Sequence, residues 1–294
     1  MNLQPLFSDT IQHVHHFGDL HPGQASDVWL VTTATERAIV RTTRMTSEPT
    51  EDFWFGCYHL FGINPTDVFA MELVNRTLRP HSLIPVPHVL RSATVADSQF
   101  LVVEVLDGLP IRSFRDLPEE TSYQLGQGIA SIHQLERPTC GNFRGTKTYP
   151  ASDFHQHAAL VMSQLVRRFH ANNEEINAAL PMFLTACEQT EASSYGVPVL
   201  LDMDATQFLS QGTRITGLID TEAYAFAPPH LDLIALEYLL DKPRARAFQS
   251  GYQQLRDFPD LTLVRPLYRY LNLLLSVQGK VPFKEWMNHP ASFD

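Results

Sequence analysis

The first third of the chain carries apolar and β-branched residues in the short runs that are typical of antiparallel strands. Residues 27–43 contain two such runs around a short polar turn, which predicts a hairpin. Two further strands are expected at about 88–95 and 99–105, and Asp107-Gly108 marks the turn that follows them. This part of the sequence therefore predicts a small antiparallel sheet.

The remainder of the chain shows mainly the spacing of helices. Asn64-Pro65 supplies an N-cap and a first-turn proline, so a helix is expected to begin there and to end before Pro80. Apolar residues then recur every three or four positions in five later segments. These segments predict helices at about 119–136, 154–169, 230–240, 244–256 and 262–276.

A β-rich first third followed by a mainly helical remainder predicts an α+β protein. We expect two lobes with a hinge near residues 104–108. Residues 1–104 form an N-terminal lobe with the sheet and one helix, and residues 105–294 form a helical C-terminal lobe. Residues 44–63 have no clear period and are expected to form an irregular insertion. Its aromatic cluster at 53–61 is compatible with core packing or with a lid over a substrate.

Composition narrows the class of protein. The chain has 294 residues, of which 44% are hydrophobic and 18% are charged, as in ordinary globular proteins. No run approaches the roughly 18 to 20 apolar residues that a membrane helix needs, and the first residues lack the features of a signal peptide. Three widely spaced cysteines favour reduced thiols in a cytoplasm. We therefore expect a cytoplasmic protein with no membrane partner.

The formal net charge of −10 argues against nucleic acid as a partner and is compatible with a cationic small substrate. No feature of the sequence specifies an oligomeric state.

Two aspartates are the strongest candidates for chemistry. An apolar run at 197–201 ends at Asp202, and a β-rich run at 215–219 ends at Asp220, with Gln207 between the two runs. Such a strand–loop–strand unit can place two carboxylates and an amide around one pocket. That arrangement suits the deprotonation of a hydroxyl group beside a metal ion that carries phosphates.

The order of these elements resembles the aminoglycoside phosphotransferase-like family, whose relatives include choline, homoserine and fructosamine kinases within the protein-kinase-like fold. In that family a catalytic loop of the form H-G-D-x-x-x-x-N precedes a strand that ends in I-D-W-E. Asp202 and Gln207 fall on the aspartate and the asparagine of the loop, and Asp220 falls on the strand-end aspartate. Leu200 stands where the loop histidine is expected.

Four other fragments follow the family's order. They are the I-P-V-P run at 84–87, the linker at 100–108, the helix and turn at 126–141, and the segment at 229–233. By resemblance, Asp232 in the last fragment braces the catalytic loop.

The resemblance implies a role for each residue of the loop. Asp202 accepts the proton of the substrate hydroxyl, and Asp204 is an alternative base. Asp220 binds Mg²⁺, and Gln207 is a second metal ligand whose longer side chain weakens that site. Read alone, Asp202 is compatible with a turn aspartate and Asp220 with a helix N-cap before Glu222.

The resemblance also implies a nucleotide site. Arg41 contacts the phosphates and pairs with Glu72, although Glu51 competes for that role and Arg41 alone could be a solvent-exposed strand residue. In the glycine-poor segment 23–27, Ser26 and backbone amides contact phosphate, unless this segment is an ordinary turn. The carbonyl of Glu104 and the amide of Leu106 bind adenine.

These features predict a small-molecule kinase that moves the γ-phosphate of ATP or GTP, with Mg²⁺, to a hydroxylated substrate. Leu200, Gln207 and the glycine-poor loop support an alternative, which is a kinase-fold protein that binds nucleotide or a partner without transferring phosphate.

Overall fold

The computed structural model describes residues 1–18, 25–46 and 49–293. Within these ranges, strands and helices occur in the order expected of an α+β protein, and this fold class is confirmed. The strands are β1 (His13–His16), β2 (Ser26–Thr32), β3 (Arg37–Thr43), β4 (Val89–Val95), β5 (Ser98–Glu104), β6 (Leu109–Pro110), β7 (Thr139–Gly141), β8 (Thr148–Pro150), β9 (Val197–Leu200), β10 (Phe208–Gln211), β11 (Arg214–Leu218) and β12 (Tyr224–Ala227). The α-helices are α1 (Asp52–Gly56), α2 (Ala70–Leu78), α3 (Glu119–His133), α4 (Phe154–Phe169), α5 (Glu174–Gln189), α6 (His230–Leu239), α7 (Lys242–Tyr252), α8 (Arg265–Leu274) and α9 (Phe283–Met287).

The first sheet has five antiparallel strands in the order β1-β2-β3-β5-β4. Its inner strand β5 is buried on both faces. Phe100 and Val102 belong to an apolar cluster with the N-terminal segment, whereas Leu101 and Val103 pack with Met71 of α2. The predicted hairpin and the two predicted strands after it are all present.

Helix α2 begins at Ala70, later than the sequence predicts. Asn64 does not cap it; instead its side chain accepts hydrogen bonds from the backbone amide and hydroxyl of Thr66. Asparagine readily forms such local turns, and here the turn takes the place of the first helical residues.

The segment between β3 and α2 is helical, where we expected an irregular insertion. Helix α1 continues into a single wide turn at Cys57–Phe61 that ends at Gly62. Trp54, Phe55 and Phe61 are buried, and the Phe61 ring stacks on Phe154 of α4 with 6.2 Å between centroids. The aromatic cluster is therefore core packing. Because it is buried on several sides, it lacks the one-sided apolar stripe by which helices are recognised.

The helices of the second part pack closely. Helices α3 and α7 approach until their backbones touch, because glycines stand at the crossing. A Cβ atom added at Gly126 would lie 2.0 Å from the carbonyl oxygen of Phe248, and one at Gly251 would lie 2.0 Å from that of Tyr123. No helix in the described ranges has the length and apolar character needed to cross a membrane.

Two small sheets complete the fold and carry the loops of interest. Strands β11, β10 and β6 form one sheet, and β8, β7, β12 and β9 form the other. Strand β9 pairs with β12 along its whole length, while β10 and β11 form a hairpin between them in the sequence. The ends of β9 and β11 therefore lie near the same edge of the molecule.

A buried carboxylate, that of Glu237 on α6, fastens the C-terminal segment. It accepts hydrogen bonds from Arg265 at 3.1 Å and Arg269 at 2.7 Å, both on α8. It also accepts from the backbone amides of Ser292 and Phe293 at 2.9 and 3.2 Å. Four donors converge on a fully buried group, so its charge is well compensated only while all of them stay in place.

We expect Glu237→Ala to lower the free energy of unfolding by about 3–5 kcal/mol, because it leaves two arginines, of which Arg269 is buried, and two backbone amides without their partner. Denaturant titration measures this. Glu188→Ala, at an exposed position of α5, is the matched control and should change stability by about 0.5 kcal/mol or less. Equal effects of the two variants would show that the buried cluster does not hold the C-terminal segment.

Candidate active site

The two predicted loops meet through backbone hydrogen bonds. Asp202 lies in the turn after β9, and Gln207 ends a short 3₁₀ turn before β10. The backbone amide of Ile219 donates to the carbonyl of Gln207 at 2.9 Å, and that of Leu201 donates to Ala223 at 3.0 Å. These two bonds hold the segment that carries Asp220 against the segment that carries Asp202.

The side chains of the first loop are ordered by hydrogen bonds. The amide nitrogen of Gln207 donates to Oδ2 of Asp202 at 2.9 Å. Asp204 instead accepts from the backbone amide and hydroxyl of Thr206, at 2.8 and 2.6 Å, and so caps the 3₁₀ turn. Of the two candidate bases, Asp204 therefore has a structural role as the cap of this turn, whereas the carboxylate of Asp202 is held only by the side-chain amide of Gln207.

A buried arginine joins the first sheet to the second loop. Arg41 on β3 is 6% exposed, and its Nη2 donates to both carboxylate oxygens of Asp220 at 3.1 and 3.0 Å. Its Nη1 donates to the carbonyl of Ile219 at 3.2 Å, and Glu222 lies 3.5 Å from Nη2. Burial among these groups rules out the reading of Arg41 as a strand residue in solvent.

Ser26 also points into this charge cluster, where its hydroxyl donates to Glu222 at 2.9 Å. The predicted phosphate loop around it lies partly outside the described residues, since these resume at residue 25. Glu222 is therefore a member of the cluster with Arg41.

Two pKa values in this cluster are raised, chiefly by burial. Burial, followed by the charges of Asp220 and Asp204, raises the pKa of Asp202 to about 7, although the hydrogen bond from Gln207 opposes the shift. Burial and the charges of Asp220 and Asp202 raise the pKa of Glu222 to about 7 against the pull of Arg41. Asp202 therefore exchanges its proton near neutral pH.

The predicted pair of Arg41 and Glu72 is not formed. Glu72 accepts a hydrogen bond from the hydroxyl of Ser92 on β4 at 2.7 Å, away from the cluster. Helix α2 turns Asn75, and not Glu72, toward the second loop. The sequence places both residues on this helix but does not specify which of its faces meets that loop.

Asn75 links α2 to the loop of Asp220, a connection that the sequence did not suggest. Its Oδ1 accepts from the hydroxyl of Thr221, and its Nδ2 donates to the carbonyl of Pro87 at 3.0 Å. Both Asn75 and Thr221 are almost fully buried. A buried polar residue in the middle of a helix is a signal of such a contact, but sequence alone does not identify its partner across 146 positions.

The linker residues occupy the path from β5 to β6. The carboxylate of Glu104 accepts from Arg79 at 2.8 Å and from the backbone amide of His88 at 2.7 Å. Leu106 lies against Gly217 of β11. The Glu104 side chain is thus engaged away from the linker backbone, whose proposed contact with adenine remains a prediction.

A buried carboxylate, that of Asp232, supports the first loop from the side of the protein core. Oδ1 of Asp232 accepts from the backbone amide of Leu200 at 2.9 Å, and Oδ2 lies 3.1 Å from Nε2 of His133. Nδ1 of His133 lies 2.9 Å from the hydroxyl of Tyr252. Burial lowers the pKa of His133 to about 3, so the ring is neutral at physiological pH.

The oxygen ligands present suit a hard cation that is also bound by phosphates. Within the described ranges, no group of three or more His, Cys, Asp or Glu side chains is arranged to hold a metal ion by itself. Asp220 supplies one carboxylate, and the amide of Gln207, which donates through its nitrogen, retains its oxygen for a cation. Mg²⁺ in nucleotide sites commonly uses one or two protein ligands, with phosphates and water as the rest.

Comparison with known proteins gives matches to the family model and to solved structures, and none among curated proteins. The model of the APH family, described as the phosphotransferase enzyme family, matches residues 19–267. The solved apoenzyme of macrolide 2'-phosphotransferase MphH from Brachybacterium faecium is similar with a TM-score of 0.59 at 15% identity, over 94% of this chain and 92% of that one.

Two further solved structures match over most of both chains. Spectinomycin phosphotransferase APH(9)-Ia, in complex with ADP and spectinomycin, has a TM-score of 0.62 at 11% identity, over 97% of this chain and 86% of that one. The GDP and kanamycin complex of APH(2")-IIia has a TM-score of 0.58 at 13% identity, over 95% and 91%. Such likeness shows that the chain has the protein-kinase-like fold of these phosphotransferases.

The raised pKa of Asp202 has a consequence for stability. Folding raises this pKa from an ordinary 3.8 to about 7, so the group stabilises the folded protein at low pH and loses that contribution as pH rises toward and through 7. We expect Asp202→Asn to melt at a higher temperature than the original protein at pH 8, and the difference to shrink toward pH 5. Thermal unfolding at several pH values measures it. A difference that stays constant with pH would contradict the raised pKa.

The link between Asn75 and Thr221 predicts a second stability effect. Thr221→Val keeps the shape of the side chain but leaves a buried amide oxygen without its donor, and we expect a loss of about 1–3 kcal/mol in the free energy of unfolding. Thr185→Val, on the exposed face of α5, is the control and should lie within about 0.5 kcal/mol of the original. If both variants behave alike in denaturant titration, the hydrogen bond to α2 does not hold the loop.

Proposed function

Because the chain belongs to the phosphotransferase enzyme family, we propose that it transfers the γ-phosphate of ATP or GTP to a hydroxyl group of a small molecule. The observation that carries this proposal is the convergence of Asp202, Asp220 and Arg41 through direct contacts between the two loops and β3. Phosphoryl transfer needs positioned groups and charge compensation more than covalent help, and these residues can supply both.

Asp202 is proposed as the residue that orients the acceptor hydroxyl and takes its proton. A pKa of about 7 leaves a substantial fraction ionised at neutral pH while making the carboxylate a better base than an ordinary aspartate. The amide of Gln207 fixes one carboxylate oxygen and leaves the other to face the hydroxyl. Asp204 is less suited to this role, because its carboxylate already caps a turn.

Arg41 is proposed as the phosphate contact. Its guanidinium is permanently charged, and its Nε is buried without a hydrogen-bond partner in the described part of the chain. A buried donor of this kind needs an acceptor, and a phosphate oxygen would provide one. Asp220 and Gln207 would hold Mg²⁺, which when bound neutralises charge on the phosphates.

We assign the nucleotide to the part of the chain up to residue 104 and the linker after it, and the acceptor to residues 105–294. Solved relatives hold ADP, AMP-PNP or GDP, which supports either nucleotide as donor. The same structures hold spectinomycin, hygromycin B or kanamycin, which supports a hydroxylated small molecule as acceptor. Cysteines 57, 140 and 187 are free and buried, in keeping with a proposed cytoplasmic location.

The replacement of the loop histidine by Leu200 does not remove the support of the loop. The brace from Asp232 reaches the backbone amide of residue 200, and any side chain at that position leaves this bond available. This contact favours an active enzyme over a protein of the same fold that only binds nucleotide.

The test is a panel of hydroxylated metabolites and antibiotics, assayed with Mg-ATP and Mg-GTP for phosphorylated product. With an acceptor identified, we expect Asp202→Asn to lower kcat by about 10²–10⁴-fold while nucleotide binding is retained. Asp204→Asn, two residues away, is the matched control and should retain most of the activity. The reverse order of the two variants would make Asp204 the base. Nucleotide binding without product from any acceptor would favour the binding-only alternative.

A further inference from the structure

An open cavity of about 460 Å³ lies between the segment before α2 and the C-terminal half of α4. Phe55 and His59 line it from one side, and Gln164, Arg167 and Arg168 line it from the other. Its volume falls in the range of sites for small molecules. None of these residues takes part in the charge cluster around Arg41.

The two arginines give the cavity an unbalanced positive charge. In the described ranges, neither Arg167 nor Arg168 forms an ion pair with a carboxylate, although the protein carries a net charge of −10. The guanidinium of Arg168 lies over the ring of Phe55 at 4.7 Å and over that of Phe169 at 5.3 Å. Stacking holds the plane of a guanidinium in place and leaves its N–H edges free to donate.

A polar atom without a partner lies in the same wall. Oε1 of Gln164 is buried and has no hydrogen-bond donor among the described residues. Buried acceptors are normally satisfied, so this oxygen calls for a donor from a bound molecule or from water. The cavity thus offers charged donors on α4, an unpaired acceptor beside them and an aromatic wall.

Arginines in the last turn of a helix also stabilise the helix dipole, and Arg167 and Arg168 occupy that position in α4. The dipole accounts for their charge. It does not account for the cavity, for the ordered stacking of Arg168 or for the unpaired oxygen of Gln164.

We propose that this cavity binds a small anion that also carries hydroxyl groups, such as a hydroxylated carboxylate or a phosphate ester. The fork of an arginine side chain matches the paired oxygens of either anion. Rotation of the Gln164 side chain would bring its oxygen, which is now buried, to a hydroxyl group of the same molecule. The proposal does not depend on the proposed phosphoryl transfer, and its test needs no nucleotide.

Isothermal titration of the full chain in phosphate-free buffer tests the proposal with three probes, which are glucose 6-phosphate, gluconate and uncharged glucose. We expect saturable binding of at least one anion and none of glucose, and the two anions distinguish a phosphate from a carboxylate ligand. Arg167→Gln and Arg168→Gln should each weaken binding about tenfold or more, since each removes a charged hydrogen-bond donor. Gln164→Leu should weaken the binding of the hydroxylated anion and leave any binding of inorganic phosphate unchanged.

Arg246→Gln is the matched control, because it removes the same charge from an exposed position on α7, outside the cavity. It should leave binding unchanged. Arg167 is exposed and forms no stacking contact, so its variant tests the site even if Arg168→Gln is unstable. The proposal is overturned if neither anion binds saturably, if glucose binds equally well, or if Arg246→Gln weakens binding as much as the cavity variants do.

Discussion

The charge balance around Arg41 is the constraint on which the site depends. One buried guanidinium bridges the first sheet and the loop of Asp220, and it is surrounded by the carboxylates of Asp220, Glu222 and, farther away, Asp202. Burial and the mutual repulsion of these carboxylates outweigh the compensation from one positive charge, so the pKa values of Asp202 and Glu222 both rise to about 7. The cluster is therefore short of positive charge, and a divalent cation would relieve that shortage.

Contacts to the backbone explain how the loop that carries Asp202 keeps its position although its motif is altered. Its position depends on backbone hydrogen bonds and on Asp232, which holds the amide of Leu200 from within the core. His133 and Tyr252 complete this buried network. Because these contacts reach the backbone at residue 200, they do not depend on which side chain stands there. The loop can therefore keep its shape while its sequence departs from that of its relatives.

Much of the fold could be predicted from the sequence, because the patterns that indicate its strands and helices are local. Alternation and turn residues predicted the hairpin of β2 and β3, and helical spacing predicted α3, α4, α6, α7 and α8 within a few residues. The helical structure at 52–61 was not predicted, because burial on several sides removes the one-sided apolar pattern. The predicted start of α2 was wrong, because Asn64 forms a local turn in place of a cap.

The candidate site was predictable where chemistry and spacing agree, and not where it depends on distant contacts. Asp202, Gln207, Asp220 and Arg41 come together as their types and order suggested. The pairing of Asn75 with Thr221 joins residues far apart in sequence, and no local pattern specifies it. The pairing of Glu72 with Arg41 was implied by the resemblance, and it was wrong because Glu72 lies on the face of α2 that meets Ser92.

The central claim is that Asp220 and Arg41 together hold a metal-bound nucleotide. Titration calorimetry with non-hydrolysable analogues of ATP and GTP, in the presence of Mg²⁺ or of EDTA, tests it most directly when the original protein is compared with Asp220→Asn. We predict binding that is strongest with Mg²⁺, and a loss of this metal dependence in the variant. Absence of nucleotide binding, or an equal dependence on Mg²⁺ in both proteins, would contradict the account.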